Sequence, residues 1–417
     1  MLFGLSTFIV DLSEYMSETP CYESILASDD AVRKAATTDT GVIGAFYSIY
    51  ESTPYLTTGL TIRGDWLEEL GLESPKTYED YENVLLAFKS AYDPAYPLYL
   101  PSCGTLSELT KGYEFAYSVA GDNVTLFSAR DGQVFFSPTC DEFRDYLSMM
   151  HSWYKQGLIS KDFATDGDWM FMHGEYQAMM ANGETGIVSL GAGLYSEFVR
   201  IGADVDENYR LEGILNPRIN PEDKVGDTPN ARASDAIFSI TDANGNAALA
   251  CRWCDFWYTE EGSMLANYGI EGESYTLNEE GKPEYTDYIM ANETYSDRSM
   301  KNLYSFNASA LVDPAKNLSG ISDAGLAAVE LWSSDPASEA FSTISMTNLS
   351  LTTDESTEYG IICADAQTYC LENVLKFING DLSVESDWDA YVSDLQKMGV
   401  DEAAGIVQDA YDRYLAR

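Results

Sequence analysis

Apolar residues recur at helical spacing in three stretches that also carry helix-boundary signals. The pattern predicts helices that begin at Thr77, Thr139 and Ser386, and glycines at Gly157 and Gly399 end the last two. An acidic residue stands three positions after each of the first two starts, as a capping box requires. The apolar stripes are Tyr78, Tyr81, Leu85 and Phe88; Phe143, Tyr146, Leu147, Met150, Trp153 and Tyr154; and Trp388, Tyr391, Val392, Leu395 and Met398. We expect these stripes to be core faces.

Short apolar runs between the helices predict buried strands. They cover residues 43–50, 60–63, 186–190, 211–215 and 236–240. Alternation of strands and helices at this spacing predicts mostly parallel sheets with helices on both faces, hence an α/β fold of two lobes. Residues 216–235 are predicted to form a long surface loop, and residues 278–283 a hairpin turn.

The charge balance restricts the partners. The chain has 417 residues, of which 45% are hydrophobic, and its 68 Asp plus Glu against 24 Lys plus Arg give a formal net charge of −44. Such a surface repels nucleic-acid phosphates and anionic lipids, so we expect no nucleic-acid partner. A neutral small-molecule ligand fits this charge best.

The sequence carries no convincing metal or cofactor motif. Cys251 and Cys254 form a C-x-x-C in a helical segment, but no second pair follows, so we expect ordinary buried thiols. Residues 241–246 begin like a calcium loop, yet Ala247 replaces the required glycine and Trp253 the final glutamate, so a turn that caps the next helix is predicted. We therefore expect no metal and no cofactor.

Four stretches of the chain carry a family resemblance: GLTIRGDWLEELGLESPKTYEDYENVLLAFK (59–89), SPTCDEFRDYLSMMHSWYKQGLISKDFAT (137–165), WCDFWYTEEGSMLANYGIEGESYTLNEEGKPEYTD (253–287) and LKFINGDLSVESDWDAYVSDLQKMGVDEAAGIVQDAYDRY (375–414). In this order they resemble the family 1 extracellular solute-binding proteins, the sugar-binding lipoproteins of ABC transporters in Firmicutes. The resemblance implies a type II periplasmic-binding-protein fold, with two α/β lobes, a hinge and a ligand cleft between the lobes. It also implies capture of a carbohydrate, an oligosaccharide, for ABC permease subunits.

The resemblance carries further expectations about organisation. We expect an extracellular, cell-surface-associated monomer, although neither a signal peptide nor a lipobox is recognisable in residues 1–10. The first lobe is expected to be incomplete at its N-terminal end. We assign residues 1–60 and roughly 245–340 to this N-terminal-type lobe, and residues 61–240 and 341–417 to the second lobe and crossing helices.

Candidate ligand-binding residues follow from the rule that ligands collect at the carboxyl ends of strands. Tyr50 and Tyr55 follow the first predicted strand, and Arg63 and Asp65 end the second. For Arg63 the alternative is a structural ion pair with a neighbouring carboxylate. The resemblance implies that Tyr195 is the aromatic residue that stacks on a sugar ring.

A second group of candidates comes from less regular stretches. The resemblance favours a position facing the cleft for Asn267, Tyr268 and Glu271, while the alternative is a helix C-cap at Gly269 with Tyr268 packing locally. Trp169 and Trp332 are interpreted as exposed platforms for a sugar.

Two other functions stay open at this stage. A secreted polysaccharide-active enzyme could use a pair of carboxylates, although abundant acidic residues guarantee such pairs and are no evidence. The sequence has no nucleophile elbow, Walker A loop or zincin motif. A peptide-binding receptor is the third hypothesis. We expect a binding protein and not an enzyme.

Overall fold

The computed structural model describes residues 8–99, 107–118, 124–159, 163, 179–180, 182–226, 232–305, 310–337, 341–344, 346 and 349–417. Its strands are β1 (Phe46–Tyr50), β2 (Thr58–Arg63), β3 (Tyr96–Leu98), β4 (Phe127–Arg130), β5 (Gln133–Phe136), β6 (Thr185–Gly191), β7 (Leu211–Gly213), β8 (Ala233–Phe238), β9 (Tyr275–Leu277), β10 (Pro283–Tyr285), β11 (Leu311–Val312) and β12 (Phe341–Thr343).

The helices precede, separate and follow these strands. They are α1 (Pro20–Ser28), α2 (Asp30–Ala36), α3 (Gly64–Leu70), α4 (Tyr78–Tyr92), α5 (Ser107–Thr110), α6 (Asp141–Gln156), α7 (Tyr195–Ala203), α8 (Ala247–Phe256), α9 (Glu260–Tyr268), α10 (Asp287–Met290), α11 (Asp297–Tyr304), α12 (Asp323–Ser334), α13 (Thr353–Asn379), α14 (Val384–Lys397) and α15 (Val400–Ala416). Short 3₁₀ helices lie at Leu12–Glu18, Lys111–Tyr113, Ser137–Thr139, Ala192–Leu194 and Pro314–Leu318.

The first lobe is built around a sheet with strand order β11-β1-β8. Its core combines aromatic and small residues of α1, α2, β1, α8 and the turn after α8. The rings of Tyr22, Phe46 and Tyr258 contact one another in this core. The Cys251 and Cys254 thiols belong to this core and are unpaired, so the prediction of ordinary buried thiols is confirmed.

The second lobe contains a sheet with strand order β3-β6-β2-β7 and a smaller sheet with order β12-β4-β5. One core cluster joins α4, α6 and the helices α13, α14 and α15, with Trp153 and Phe143 fully buried at its centre. A separate cluster, which includes Tyr195 and Trp332, packs on the four-stranded sheet from α7 and α12. The predicted aromatic stripes therefore do form core faces.

The prediction of mostly parallel sheets is wrong. The β1–β11 and β3–β6 pairs are parallel, but β2 is antiparallel to both β6 and β7, and β8 is antiparallel to β1. The reason is that β2 and β8 enter their sheets directly from segments that cross between the lobes. They do not follow a helical crossover within one sheet, which is what makes neighbouring strands parallel.

The predicted helix boundaries hold in part. Thr77 and Asp80 form the expected capping box of α4, and Gly157 ends α6 in the left-handed conformation. However, Cys140 is the N-cap of α6, because the Thr139 hydroxyl donates to the Phe136 carbonyl at the end of the preceding 3₁₀ turn.

Further turns and strands agree with the sequence. All five predicted runs overlap a strand, and residues 278–282 form the turn of the β9–β10 hairpin. Asn246 accepts a hydrogen bond from the Leu249 N–H at the start of α8, so the turn that resembles a calcium loop is a helix cap.

None of the helices in the described ranges has the length and apolar character to cross a membrane.

The chain passes between the lobes from β1 to β2, from β7 to β8, and from β11 to α12. Packing places the lobe boundaries differently from the sequence in two respects. Residues 233–238 pair with β1 and belong to the first lobe. Residues 323–334 belong to the second lobe, because α12 packs on β7 and β2 with Trp332 against Gly59.

An arginine network joins the two lobes. Asp39, in the loop that leads from α2 to β1, accepts from Arg413 Nε at 2.7 Å and from Arg417 Nε at 2.8 Å. Arg413 also donates to both Glu355 oxygens, at 3.0 and 2.8 Å. The Arg417 side chain is only 6% exposed. These partly buried pairs hold the end of α15 against the first lobe.

We expect Asp39→Asn to weaken this connection, because the amide keeps the size of the carboxylate but loses its charge. Removing one charged partner of such a network reduces the free energy of unfolding by about 1–2 kcal/mol. Urea denaturation of the two proteins measures this. Glu280→Gln is the control, since its pair with Lys282 is exposed on both sides, and it should leave the midpoint unchanged. Equal midpoints for D39N and wild type would contradict a stabilising network.

Candidate ligand-binding site

Two strands of the first lobe end side by side and carry acidic residues at that edge. Strands β1 and β11 are parallel, and Tyr50 lies opposite Val312 in their register. The next residues are Glu51 and Asp313, and the Glu51 N–H donates to the Val312 carbonyl at 2.9 Å. Because carboxyl ends of neighbouring parallel strands meet at one edge of a sheet, these two carboxylates share the side of the lobe from which the chain crosses to β2.

Helix α9 supplies the polar partners of this edge. The Ser263 hydroxyl lies 3.2 Å from Glu51 Oε1 and 3.1 Å from the Leu311 carbonyl. The Asn267 amide donates to the same carbonyl at 2.8 Å. The Tyr268 hydroxyl donates to Asp313 Oδ2 at 2.6 Å. The side chains of α9 therefore fix the ends of both strands.

The electrostatics of this edge disfavour negative charge. Burial, followed by the nearby Asp313 carboxylate, raises the pKa of Glu51. Burial and the hydrogen bond to Asp313 raise the pKa of Tyr268. Burial lowers the pKa of Lys316, while Asp313 acts in the opposite direction.

The second lobe has a recess where β6 and β7 end and β2 begins. It is lined by Leu56, Thr58, Gly59, Glu108, Leu215, Asn216, Trp332 and Asp335. The Trp332 indole N–H donates to the Ile214 carbonyl at 3.1 Å, which fixes the ring beneath β2. A Cβ on Gly59 would lie 2.6 Å from this ring, so only glycine allows the approach.

A buried ion pair closes one side of this recess. Arg218 donates to Asp335 Oδ2 at 2.8 Å, and the two side chains are 6% and 4% exposed. The same guanidinium donates to the Asn216 and Asp223 carbonyls. Asp335 Oδ1 is buried and has no hydrogen-bond partner among the described residues.

The comparisons with known proteins find related sequences that cover between 64% and 99% of the chain. No family model matches it. Lipoprotein LipO of Bacillus subtilis strain 168 is 23% identical over 279 residues, 64% of this chain and 53% of LipO. The fructooligosaccharide ABC transporter substrate-binding protein FusA of Streptococcus pneumoniae is 24% identical, over 99% of this chain and 75% of FusA. The chain thus matches about half the length of LipO and three quarters of FusA.

Solved structures agree with these relatives. The HMO-binding, ABC-transporter-associated solute-binding protein of Bifidobacterium longum infantis superposes with a TM-score of 0.75 at 18% identity, covering 98% of this chain and 84% of that protein. FusA in complex with kestose gives a TM-score of 0.71 at 20% identity, covering 99% of this chain and 84% of FusA. The chain has the fold of an ABC-transporter solute-binding protein. The fold inferred from the sequence, and the resemblance to sugar-binding lipoproteins, are confirmed.

Some of the predicted ligand residues lie at the crossing between the lobes. Tyr50 ends β1 beside Glu51, and Tyr55, which is 44% exposed, belongs to the segment that leads to the recess. Asn267 and Tyr268 lie at the acidic edge, but both are buried and bonded to the ends of β11. The alternative of a helix C-cap also holds, because Gly269 ends α9 with a φ of +88°.

Arg63 and Asp65 lie away from this crossing. Since β2 is antiparallel to its neighbours, its carboxyl end lies at the opposite edge of the sheet from the recess. Arg63 forms a bidentate pair with Asp65, at 2.9 and 2.5 Å, and its guanidinium packs between the rings of Trp66 and Tyr209. Arg63 and Asp65 therefore form the structural ion pair that was the alternative interpretation of Arg63.

The remaining candidates differ in placement. Tyr195 follows β6 as expected, but its ring is fully buried and its hydroxyl lies 2.7 Å from Thr61 Oγ1, so it presents no face to a ligand. Trp332 is 5% exposed and is not an exposed platform, although its edge lines the recess. Glu271 is exposed in the turn after α9. Trp169 lies outside the described residues.

Sequence reasoning missed four acidic residues, Glu51, Asp313, Glu108 and Asp335. Glu51 could have been found, since it directly follows a predicted strand. Asp313 follows a two-residue strand, Glu108 lies in the four-residue helix α5, and Asp335 follows the helix α12, so no strand pattern marked them. In the described part of the chain, His, Cys, Asp and Glu side chains do not gather in groups of three that could hold a metal ion.

We expect Gly59→Ala to distort the recess, because its new methyl group would overlap the Trp332 indole. Overpacking of this kind reduces the free energy of unfolding by about 1–3 kcal/mol. Denaturation and tryptophan emission spectra measure the effect. Gly193→Ala is the matched control, since its Cβ would meet nothing within 4 Å. Equal losses in both variants would contradict a specific contact with Trp332.

We expect Glu51→Gln to stabilise the protein at neutral pH. The folded-state pKa of Glu51 is raised, so the folded protein binds more protons and its stability falls as the pH rises past the ordinary glutamate value. Glutamine does not ionise, so E51Q should not lose stability in this way. Its free energy of unfolding should exceed that of the wild type near pH 7, and the difference should vanish below about pH 4. Thermal unfolding at both pH values tests this, with the exposed Glu271→Gln as control. An advantage of the same size at both pH values would contradict it.

Proposed function

We propose that the protein is an extracellular receptor that captures an oligosaccharide and delivers it to the permease subunits of an ABC importer. The observation that carries the proposal is the likeness of nearly the whole chain, in sequence and in fold, to proteins described as sugar-binding receptors of such transporters. The ligand lies between the acidic edge of the first lobe and the recess of the second.

The geometry supports binding in this position. Strand ends from both lobes face the segments that cross between them, which is where ligands collect in open α/β sheets. The recess combines an indole edge with hydrogen-bonding side chains, as a sugar with apolar ring faces and polar hydroxyls requires. Binding between lobes favours a closed arrangement by hinge motion, and the closed form is the one that the permease recognises.

The proposal includes what the protein does not do. It returns its ligand unchanged and is not an enzyme, acts as a monomer at the cell surface, and binds no nucleic acid. The relatives are described as binding proteins or lipoproteins, and the net charge of −44 opposes phosphate backbones.

A thermal-unfolding screen against oligosaccharides tests the proposal. A ligand at 100 times its dissociation constant should add about 2.7 kcal/mol to the free energy of unfolding. Peptides of similar mass serve as the control for ligand class, and chromatography of each mixture checks for products. A shift with sugars alone, without products, is the expected result. Product formation would contradict the receptor function and indicate a polysaccharide-active enzyme. A stability shift with peptides alone would indicate a peptide receptor.

A further inference from the structure

The Asp335 carboxylate in the recess has unused acceptor capacity. Its side chain is 4% exposed, and Oδ2 is occupied by Arg218. Oδ1 receives no hydrogen bond from any described residue. Buried carboxylate oxygens without a donor are rare in folded proteins, because desolvation without a compensating hydrogen bond is unfavourable. Because Asp335 also lines the recess, a donor from a ligand there would satisfy this acceptor.

Three further carboxylates stand at the recess and the acidic edge. Glu108 lines the recess, where its Oε1 accepts from the Ser189 hydroxyl at 2.7 Å. Glu51 and Asp313 stand at the ends of the first-lobe strands and repel one another. Any ligand between the lobes therefore meets carboxylates on both sides.

The nearby cations are already engaged by the protein. Arg218 is bonded to Asp335 and to two backbone carbonyls. Arg232 donates to Asp29 at 2.7 Å and to the Tyr50 carbonyl at 2.8 Å. Lys316 interacts with Asp313. A ligand carboxylate that pairs with Arg218, Arg232 or Lys316 would have to compete with these existing partners.

We propose that this cleft selects neutral sugar units and rejects uronic acids, with the Asp335 carboxylate as the group that accepts a sugar hydroxyl. The proposal rests on the proposed function and adds the class of sugar. Hydroxyl groups donate to carboxylates in charge-assisted hydrogen bonds, whereas an ionised uronate facing Asp335 or Glu108 places like charges together in a poorly solvated site.

Calorimetric titration with two panels tests the selection. The neutral panel contains kestose, galactotriose and maltotriose, and the acidic panel contains trigalacturonate and trimannuronate, at low ionic strength. The best neutral trisaccharide should bind at least about tenfold more tightly than the best uronate, since like-charge contacts are strongly unfavourable. A uronate that binds as tightly or more tightly overturns the inference and leaves the proposed function intact. A protein that binds neither panel overturns the proposed function and the inference with it.

Two matched variants separate the role of Asp335 in recognition from its role in folding. Asp335→Asn and Arg218→Gln break the same buried pair, but only the first removes negative charge from the recess. We expect D335N to lower the ratio of neutral to uronate affinity at least about tenfold, and R218Q to keep or raise it. If Asp335 had a purely structural role, both substitutions would change the ratio of neutral to uronate affinity in the same way. That result would overturn the assignment of the hydroxyl acceptor to Asp335.

Glu108→Gln tests the same proposal if D335N and R218Q both fail to fold. This substitution removes one charge from the recess without touching the Arg218–Asp335 pair, and the amide oxygen still accepts from Ser189. The uronate affinity of E108Q should rise relative to its neutral-sugar affinity. An unchanged ratio in E108Q would mean that charge in the recess does not select the ligand, and the proposal would be wrong.

Discussion

The buried ion pair between Arg218 and Asp335 is the interaction on which the candidate site depends. It joins the segment after β7 to the end of α12, and Gly226 and Ala337 pair just beyond it. Both segments line the recess, so the pair fixes their spacing. A buried pair contributes little net stability because desolvation offsets its attraction, yet the loss of one partner leaves an uncompensated charge. Its role in this protein is therefore geometric.

The crossing segments explain the rest of the arrangement. A chain that leaves one sheet and enters another directly must place polar backbone between two cores, where each N–H and C=O needs a partner. Asn267 provides one, since its amide donates to the carbonyl of Leu311 at the end of β11. Trp332 provides another through the Ile214 carbonyl. Two side chains that were predicted to hold a sugar, Asn267 and Trp332, thus complete the hydrogen bonding of backbone at strand ends.

The sequence predicted the positions of strands and helices better than the relative directions of paired strands. Periodicity located the strands and the aromatic helix faces, because these depend on burial along a local stretch. It could not reveal that β2 is antiparallel to its neighbours, since direction depends on a partner far along the chain. That error moved Arg63 and Asp65 to the ligand side of the sheet, although they lie at the other edge. The resemblance located Tyr195 after the correct strand but did not show that its hydroxyl bonds to Thr61, which turns the ring into the core.

The acidic character of the cleft then has a physical explanation within this architecture. Glu51, Asp313 and Asp335 each stand where a strand or helix ends, and each receives a hydrogen bond from a neighbouring side chain. Two of these donors, Ser263 and Arg218, also bond to backbone carbonyls. In the proposed binding position, a ligand would supply further donors to these carboxylates. A neutral ligand with many hydroxyl groups can donate hydrogen bonds to these carboxylates. Its binding costs less desolvation free energy than that of a cation, and it avoids the charge repulsion that an anion would meet. The proposed ligand class and the backbone anchoring thus rest on the same side chains.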